Sequence, residues 1–424
     1  MKITRNQFFG YLGLTAFIIL YGILIMNRGN NDYRVFELAA TRLLKFEAIT
    51  VYENFAFSYP PLFAVIMLPI STLPSLIGAW IFYLVSVYLF FVSVIYFIKT
   101  VKIILPDFDI AFRNSKWLIF LAFFLTSRYI FNVFEHLQFD MLTLFGLVMA
   151  FYCIVRKKIA FAGFFLAFAI SLKVTPLLLI VYFLWKKQWK LIGYTTLFLF
   201  LLNMIPELIF GIYRGVSYNW EWVEVVVLKL DSSHLTSDQI SIIWPPNSIM
   251  NQAIKPWIYR LFVDNSIGIG GSDYFPNFFS LTPKFASLFS AVLSVVLLGF
   301  SGYIFWIKRS VKSITHYFSE IAIVLILMLL ISPVSSKSHF ITLIYAHLII
   351  LLHLSKSPSR NPIFFFSSFC VILGFLPPLF GSTVDQWCQM YGFTTLHTFL
   401  LFFLLSYQMM KYSKVEPEIT QSAK

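Results

Sequence analysis

The sequence predicts an all-α, polytopic membrane protein, and three observations carry that prediction. Of its 424 residues, 59% are hydrophobic and only 12% charged, with a mean hydropathy of +0.80. A soluble fold of this length has no interior large enough for so much apolar surface. The apolar residues fall in runs of roughly 20, the length that crosses a bilayer as a helix. Short basic clusters separate the runs, which is the orientation signal of membrane proteins.

Composition also excludes function classes. The net charge of +13 is spread over those clusters and forms no stripe for nucleic acid. The three cysteines, Cys153, Cys370 and Cys388, form neither a disulfide framework nor a metal-ligand spacing.

The elements follow in order. Lys2 and Arg5 precede an apolar run from Phe8 to Met26. A cleaved signal peptide is the rival reading, but Met-Asn-Arg-Gly is a poor cleavage site. The run therefore reads as an uncleaved first span with a cytoplasmic N-terminus. Further apolar runs fall near 59–72, 75–98, 116–134, 138–155, 159–173, 175–186, 190–210, 285–307, 318–334, 338–354, 362–380 and 393–411.

Arg156-Lys157-Lys158, Lys186-Lys187-Lys190, Lys308-Arg309-Lys312, Lys356-Arg360 and Lys411-Lys414 all read as cytoplasmic, as do Lys99, Lys102, Arg113 and Lys116. Basic clusters flank both runs around Lys173, so they read as a hairpin with Lys173 at its outer turn. The run 59–72 is short and bounded by Pro60, Pro61, Pro69 and Pro74. Charge parity makes it a re-entrant or interfacial helix, leaving about 12 crossings with both termini inside. The alternative of about 13 crossings puts one basic cluster outside.

The chain thus reads as one membrane domain, 1–412, with a polar tail, 413–424. Its outer face collects a first external loop (27–74) and a long aromatic loop (211–284), within which Gly268–Ser272 reads as flexible. The turns near 135–140, Lys173 and 332–339 lie on the same face. A segment around Gly381–Gly392 reads as peripheral.

Candidate chemistry gathers on that face. Asp32 precedes an amphipathic helix pattern (Val35, Phe36, Ala39, Leu43, Phe46). It is either an N-cap or a general base facing an acceptor hydroxyl. Lys173 lies between two apolar runs, where an ammonium is expensive and a functional candidate; a phosphate at headgroup level would pair with it, and a snorkelling lysine is the alternative. Glu135, His136, Gln138 and Asp140 suit hydrogen bonds to sugar hydroxyls, although Arg128 could instead pair with Glu135. The turn Ser332–His339 brings Ser335, Lys337 and His339 to the same surface, with a structural histidine as the rival. Asn251-Gln252 could be simple turn polarity. The long loop also offers Trp244 and other aromatics. No Walker or dinucleotide-binding loop occurs. Asp107-Phe108-Asp109 reads as a solvated cytoplasmic loop. A sugar donor would therefore arrive in the membrane.

Taken in order, these pieces resemble the GT-C superfamily of integral membrane glycosyltransferases. More narrowly they resemble glycosyltransferase family 87, the polyprenol-phosphate-mannose-dependent mannosyltransferases of bacteria. The likeness rests on Asp32-Tyr33 after the first span and Tyr59-Pro60-Pro61-Leu62-Phe63 before a Pro-broken run. It continues through Gly163–Pro176 with its Lys173-x-x-Pro176, Asn251-Gln252, and Ser332-Pro333-Val334-Ser335 before His339. Two places depart. Leu137-Gln138 stands where the family has Gly-Gln, and Ser336 and Ser338 stand where it has Trp and a first His.

The resemblance implies an inverting transfer of a hexose such as mannose from a polyprenyl-phosphate sugar donor to a lipid or glycan acceptor. The expected location is the outer, periplasmic side of a bacterial inner membrane. Asp32 would be the base; Lys173, Lys337 and His339 would hold the donor phosphate. Tyr33, Tyr59, His136, Gln138, Trp244, Asn251, Gln252 and Ser335 would contact sugar or acceptor. No cofactor, metal or nucleic acid is expected. The rival readings are a lipid-linked glycan polymerase or ligase, and a transporter or flippase.

Overall fold

The computed structural model of the chain describes residues 5–29, 32–50, 57–104, 112–212, 215–228, 244–311, 313–356 and 362–412. Asp107-Phe108-Asp109 and the tail 413–424 lie outside these. The architecture is all-α. Eight described helices are long and apolar enough to cross a membrane: Phe9–Arg28, Ser75–Ile104, Trp117–Glu135, Trp189–Phe210, Pro283–Ile307, Ile314–Ile331, Lys337–Ser355 and Phe393–Lys411. The chain is an integral membrane protein. Many apolar side chains of the first helix, Leu12, Phe17 and Leu20 among them, are exposed, as lipid-facing residues must be. Ile314–Ile331 is buried along almost its whole length, which marks it as the central helix of the bundle.

The helices that position the site are α1 (Arg5–Arg28), α2 (Tyr33–Leu44), α3 (Pro61–Ser71), α4 (Ser75–Ile104), α5 (Phe112–Glu135), α6 (Asp140–Val155) and α7 (Ile159–Leu172). As the spacing predicts, α2 is amphipathic and buries Tyr33, Phe36, Ala39, Ala40 and Leu43, but Phe46, expected on the same face, lies past the helix end with φ of 56° and is exposed. Helix α3 starts with Pro61 in its first turn, where a missing N–H costs nothing. Its 11 residues rise only about 16 Å, too short for a hydrocarbon core of about 30 Å. It packs on α2 and α4 beneath an aromatic cluster: Phe36 and Phe63 rings at 4.8 Å, Phe63 and Phe139 at 4.7 Å, Tyr59 and Phe139 at 4.5 Å.

After α7 the chain breaks at Lys173 and resumes through a 3-10 turn, Thr175–Leu177, into α8 (Leu178–Trp185). Helix α8 packs on Ile314–Ile331 and on α9 (Trp189–Asn203). The predicted hairpin is therefore a splayed corner that leaves Lys173 inside the protein.

Two expectations about loops change. Gly268–Ser272 is part of an antiparallel β-hairpin, β1 (Ile267–Ile269) with β2 (Ser272–Tyr274). Gly270 and Gly271 have φ of 61° and 85°, the two positive values a tight two-residue hairpin turn requires. The segment expected at the periphery forms a helix, Ser382–Met390. Trp387 of that helix packs on Tyr274 at 4.4 Å, so hairpin and helix form one unit.

Candidate active site

The site begins with how α5 ends. The Leu137 N–H donates to the Phe134 carbonyl at 3.1 Å and the Gln138 N–H to the Val133 carbonyl at 2.8 Å. That pair of bonds is a Schellman motif, which needs a left-handed residue after the helix. Leu137 supplies it with φ of 50°. The turn aims Gln138 back at the first external loop.

There it meets Asp32. This residue occupies the N-cap position of α2, yet its side chain makes no capping hydrogen bond. Its backbone N–H donates to the His136 carbonyl at 2.9 Å, and Gln138 Nε2 donates to Asp32 Oδ2. The carboxylate is thus turned away from its own helix. Burial first, and the charge of Asp140 second, push its pKa up to about 6, against the Gln138 hydrogen bond. That suits a base working near neutrality.

Asp140 is the first residue of α6 and is buried. The Lys173 ammonium ion-pairs with its Oδ1 and lies 5.1 Å from the Phe139 ring centroid. Lys173 itself is only 7% exposed, which makes it no snorkelling lysine. Ser338 and His339, from the turn after Ile314–Ile331, stand close enough to the same carboxylate to interact with its charge. Among the described residues, Asp140 Oδ2 and His339 Nδ1 are buried without a hydrogen-bond partner. Tyr59 stands close enough to Asp32 and Asp140 to feel both charges, which, after burial, raise its pKa. Five segments distant in sequence therefore converge on one point: a carboxylate held near neutrality, a second one neutralised by an ammonium, and an imidazole with a free nitrogen. Such a set can take a proton from a hydroxyl and receive an anion beside it.

A family model described as glycosyltransferase family 87 matches residues 57–333, more than half of the chain. The chain belongs to glycosyltransferase family 87. No curated protein and no solved structure matches it. The family 87 match covers Tyr59, His136, Gln138, Lys173, Trp244, Asn251 and Gln252. Asp32 and the residues Ser335–His339 lie outside it; of these, Asp32, Ser338 and His339 join the site through the contacts above.

Other expected residues of this family 87 glycosyltransferase are placed elsewhere. Lys337 ion-pairs with Asp385, which also accepts from Arg128 Nη2 at 2.6 Å. Arg128 therefore does not serve Glu135, which takes Arg28 at 3.4 Å instead. Tyr33 is buried and its hydroxyl donates to the Ile70 carbonyl at 3.4 Å. Asn251 and Gln252 are buried with their side chains engaged inside the protein: Asn251 Nδ2 donates to the Pro333 carbonyl at 2.8 Å, and Gln252 Nε2 to that of Gln389 at 3.0 Å. The Ser335 hydroxyl donates to the Leu329 carbonyl at 2.7 Å. His136 sits within the field of Glu135 and Lys337, and burial is the main cause holding its pKa down. Trp244 is half-buried.

Sequence reasoning missed Ser338 and Asp385. Asp385 is 257 residues from Arg128, with no local signal. Asp140 stands in the polar group that sequence reasoning singled out. Its pairing with Lys173 had no local signal either.

Proposed function

We propose that this glycosyltransferase moves a hexose such as mannose from a polyprenyl-phosphate donor to a lipid or glycan acceptor, with inversion, on the outer face of a bacterial inner membrane. One observation carries the reading. The Asp32 carboxylate is released from capping and stands beside the Lys173–Asp140 pair and His339. Asp32 would accept the proton of the acceptor hydroxyl as its oxygen attacks the anomeric carbon. The bond from that carbon to the phosphate oxygen breaks on the opposite side, and the leaving phosphate takes the electron pair. Lys173 would receive that anion, with the His339 imidazole beside it, since fixed donors are worth most where charge develops in a site shielded from water. Tyr59, set edge-on against Phe139, would offer its ring and hydroxyl to a sugar.

The basic clusters support the sidedness. Arg156–Lys158 and Lys186–Lys190 follow the far ends of α6 and α8 from the site, and such clusters favour the cytoplasm. Lys337 is left out of the phosphate site, because its charged neighbours are Asp385, Arg128 and Glu135 and not the Lys173–Asp140 pair.

The test is a transfer assay with the purified protein in lipid vesicles and a panel of polyprenyl-phosphate sugars, with products identified by mass spectrometry. A single hexose added to an acceptor is expected. Transfer of a multi-sugar block would favour the ligase reading. Movement of donor between leaflets without product would refute transfer altogether.

A further inference from the structure

The turn Ser332–His339 carries Ser338 and His339 to the Asp140 carboxylate, yet it is a proline-bearing connection with little regular structure before its 3-10 segment, Lys337–Leu343. Its position depends on what grips it. Asn251 grips the backbone twice: its Oδ1 accepts from the Ser335 N–H at 2.9 Å and its Nδ2 donates to the Pro333 carbonyl at 2.8 Å. The Gln252 N–H adds a bond to the Ser335 carbonyl at 2.8 Å. Behind them lies Arg260, wholly buried in the helix Ile254–Phe262. Its Nη1 donates to the carbonyls of Asn251 at 2.7 Å and Ser248 at 2.6 Å, and its Nε to that of Met390 at 3.0 Å. A second grip is ionic. Asp385 holds Lys337, the residue before Ser338, and ties it to Arg128 on α5. Gln389 Nε2 reaches Asp385 Oδ2 at 3.2 Å, which joins the two grips.

We infer that Asn251, Arg260 and Asp385 are positioning residues, a clasp through which the long loop and the helix Ser382–Met390 set the register of the Ser338–His339 pair against Asp140 and Lys173. Within the proposed transfer reaction, on which the catalytic part of this inference rests, Lys337 anchors the turn and touches no phosphate. A buried guanidinium and a bidentate amide are costly to deprive of partners; Arg260 uses its Nε and Nη1 on these three carbonyls, while Nη2 is buried without one. The burial of both groups here, on a connection that bears site residues, fits a device that removes freedom from the turn.

Two measurements on the full-length protein in lipid nanodiscs test this. The first needs no activity. A trifluoromethyl tag on Ser336→Cys, in a background with Cys153, Cys370 and Cys388 replaced by alanine, is followed by fluorine NMR. One resonance is expected in the otherwise unchanged protein, and additional resonances in Asn251→Leu and in Asp385→Asn. An unchanged spectrum in both overturns the clasp. Should Asn251→Leu fail to fold, Asp385→Asn carries the test, because it removes the ion pairs at constant volume. The second is a double-mutant cycle on transfer. Asn251→Leu is expected to lower kcat at least tenfold with KM nearly unchanged, and to cost nothing further in a His339→Ala background. Additive losses overturn the inference. If the parent protein transfers no sugar, the proposed function fails while the fluorine spectra still decide the clasp.

Discussion

The sharpest consequence of the geometry concerns how the reaction depends on pH. Asp32 titrates near 6 instead of its ordinary 3.8, and one pH unit corresponds to about 1.4 kcal/mol. As the base it must be ionised, so kcat/KM should rise with unit slope below about pH 6 and level off above it. The two neighbours of the carboxylate move this limb in opposite directions. Asp140→Asn removes the second-largest cause of the raised pKa and leaves the Lys173 cation unpaired beside it. Both effects favour the charged carboxylate, so the limb should move to lower pH by about one unit. Gln138→Leu removes the one hydrogen bond that favours the charged form, so its limb should move up. The assay is the initial rate of sugar transfer between pH 4.5 and 8.5 at sub-saturating donor, read from the shape of the residual activity even where its level falls. A limb at the same pH in all three proteins would refute Asp32 as the titrating base. Stability runs the opposite way. Between pH 3.8 and about 6 the folded protein binds a proton the unfolded chain does not, so this group's contribution falls as pH rises, by about 3 kcal/mol in all.

Other outcomes follow from the same contacts. Asp32→Asn should reduce transfer at least a hundredfold without loss of thermal stability, since no cap is removed; a large drop in melting temperature would mean that the side chain holds α2. Lys173→Met leaves the buried Asp140 charge unpaired and should destabilise the protein by about 3–5 kcal/mol in denaturant titrations, whereas Lys173→Met with Asp140→Leu should recover most of that loss but not activity. Gly392→Ala should cost about 1–3 kcal/mol in the same titrations, because Gly392 has φ of 75° and a Cβ there would meet Trp257 at 2.1 Å; wild-type stability would show that the Trp257 ring gives way freely.

Much of the fold was legible from the chain. The apolar runs, the amphipathic pattern of α2, and the short helix after Tyr59-Pro60-Pro61 all depend on residues close together in sequence, so periodicity and proline placement report them. The site was legible in part. Asp32, Gln138, Lys173 and His339 stood out because polar groups between apolar runs are expensive. Their true company did not. Asn251 and Gln252 also stood out as polar, but the same polarity serves hydrogen bonds to buried backbone as well as to a sugar, and only the fold shows that their side chains are engaged inside the protein. Gly268–Ser272 was misread because glycine frees the backbone for a hairpin turn as readily as for a flexible loop.

By itself, then, the sequence determined that this is a helical membrane protein with its polar chemistry gathered at one end, because burial in lipid is dictated by each run of residues separately. Where the Asp32 side chain goes was decided by tertiary structure alone. A local rule makes an acid before a helix its cap, and Asp32 does stand at the cap position. Its side chain is drawn off by Gln138, 106 residues away, while Lys173 neutralises Asp140 across 33 residues. Those are electrostatic contacts between residues far apart in sequence, made where Asp140 and Lys173 are buried, and there a single hydrogen bond or charge outweighs a local capping preference.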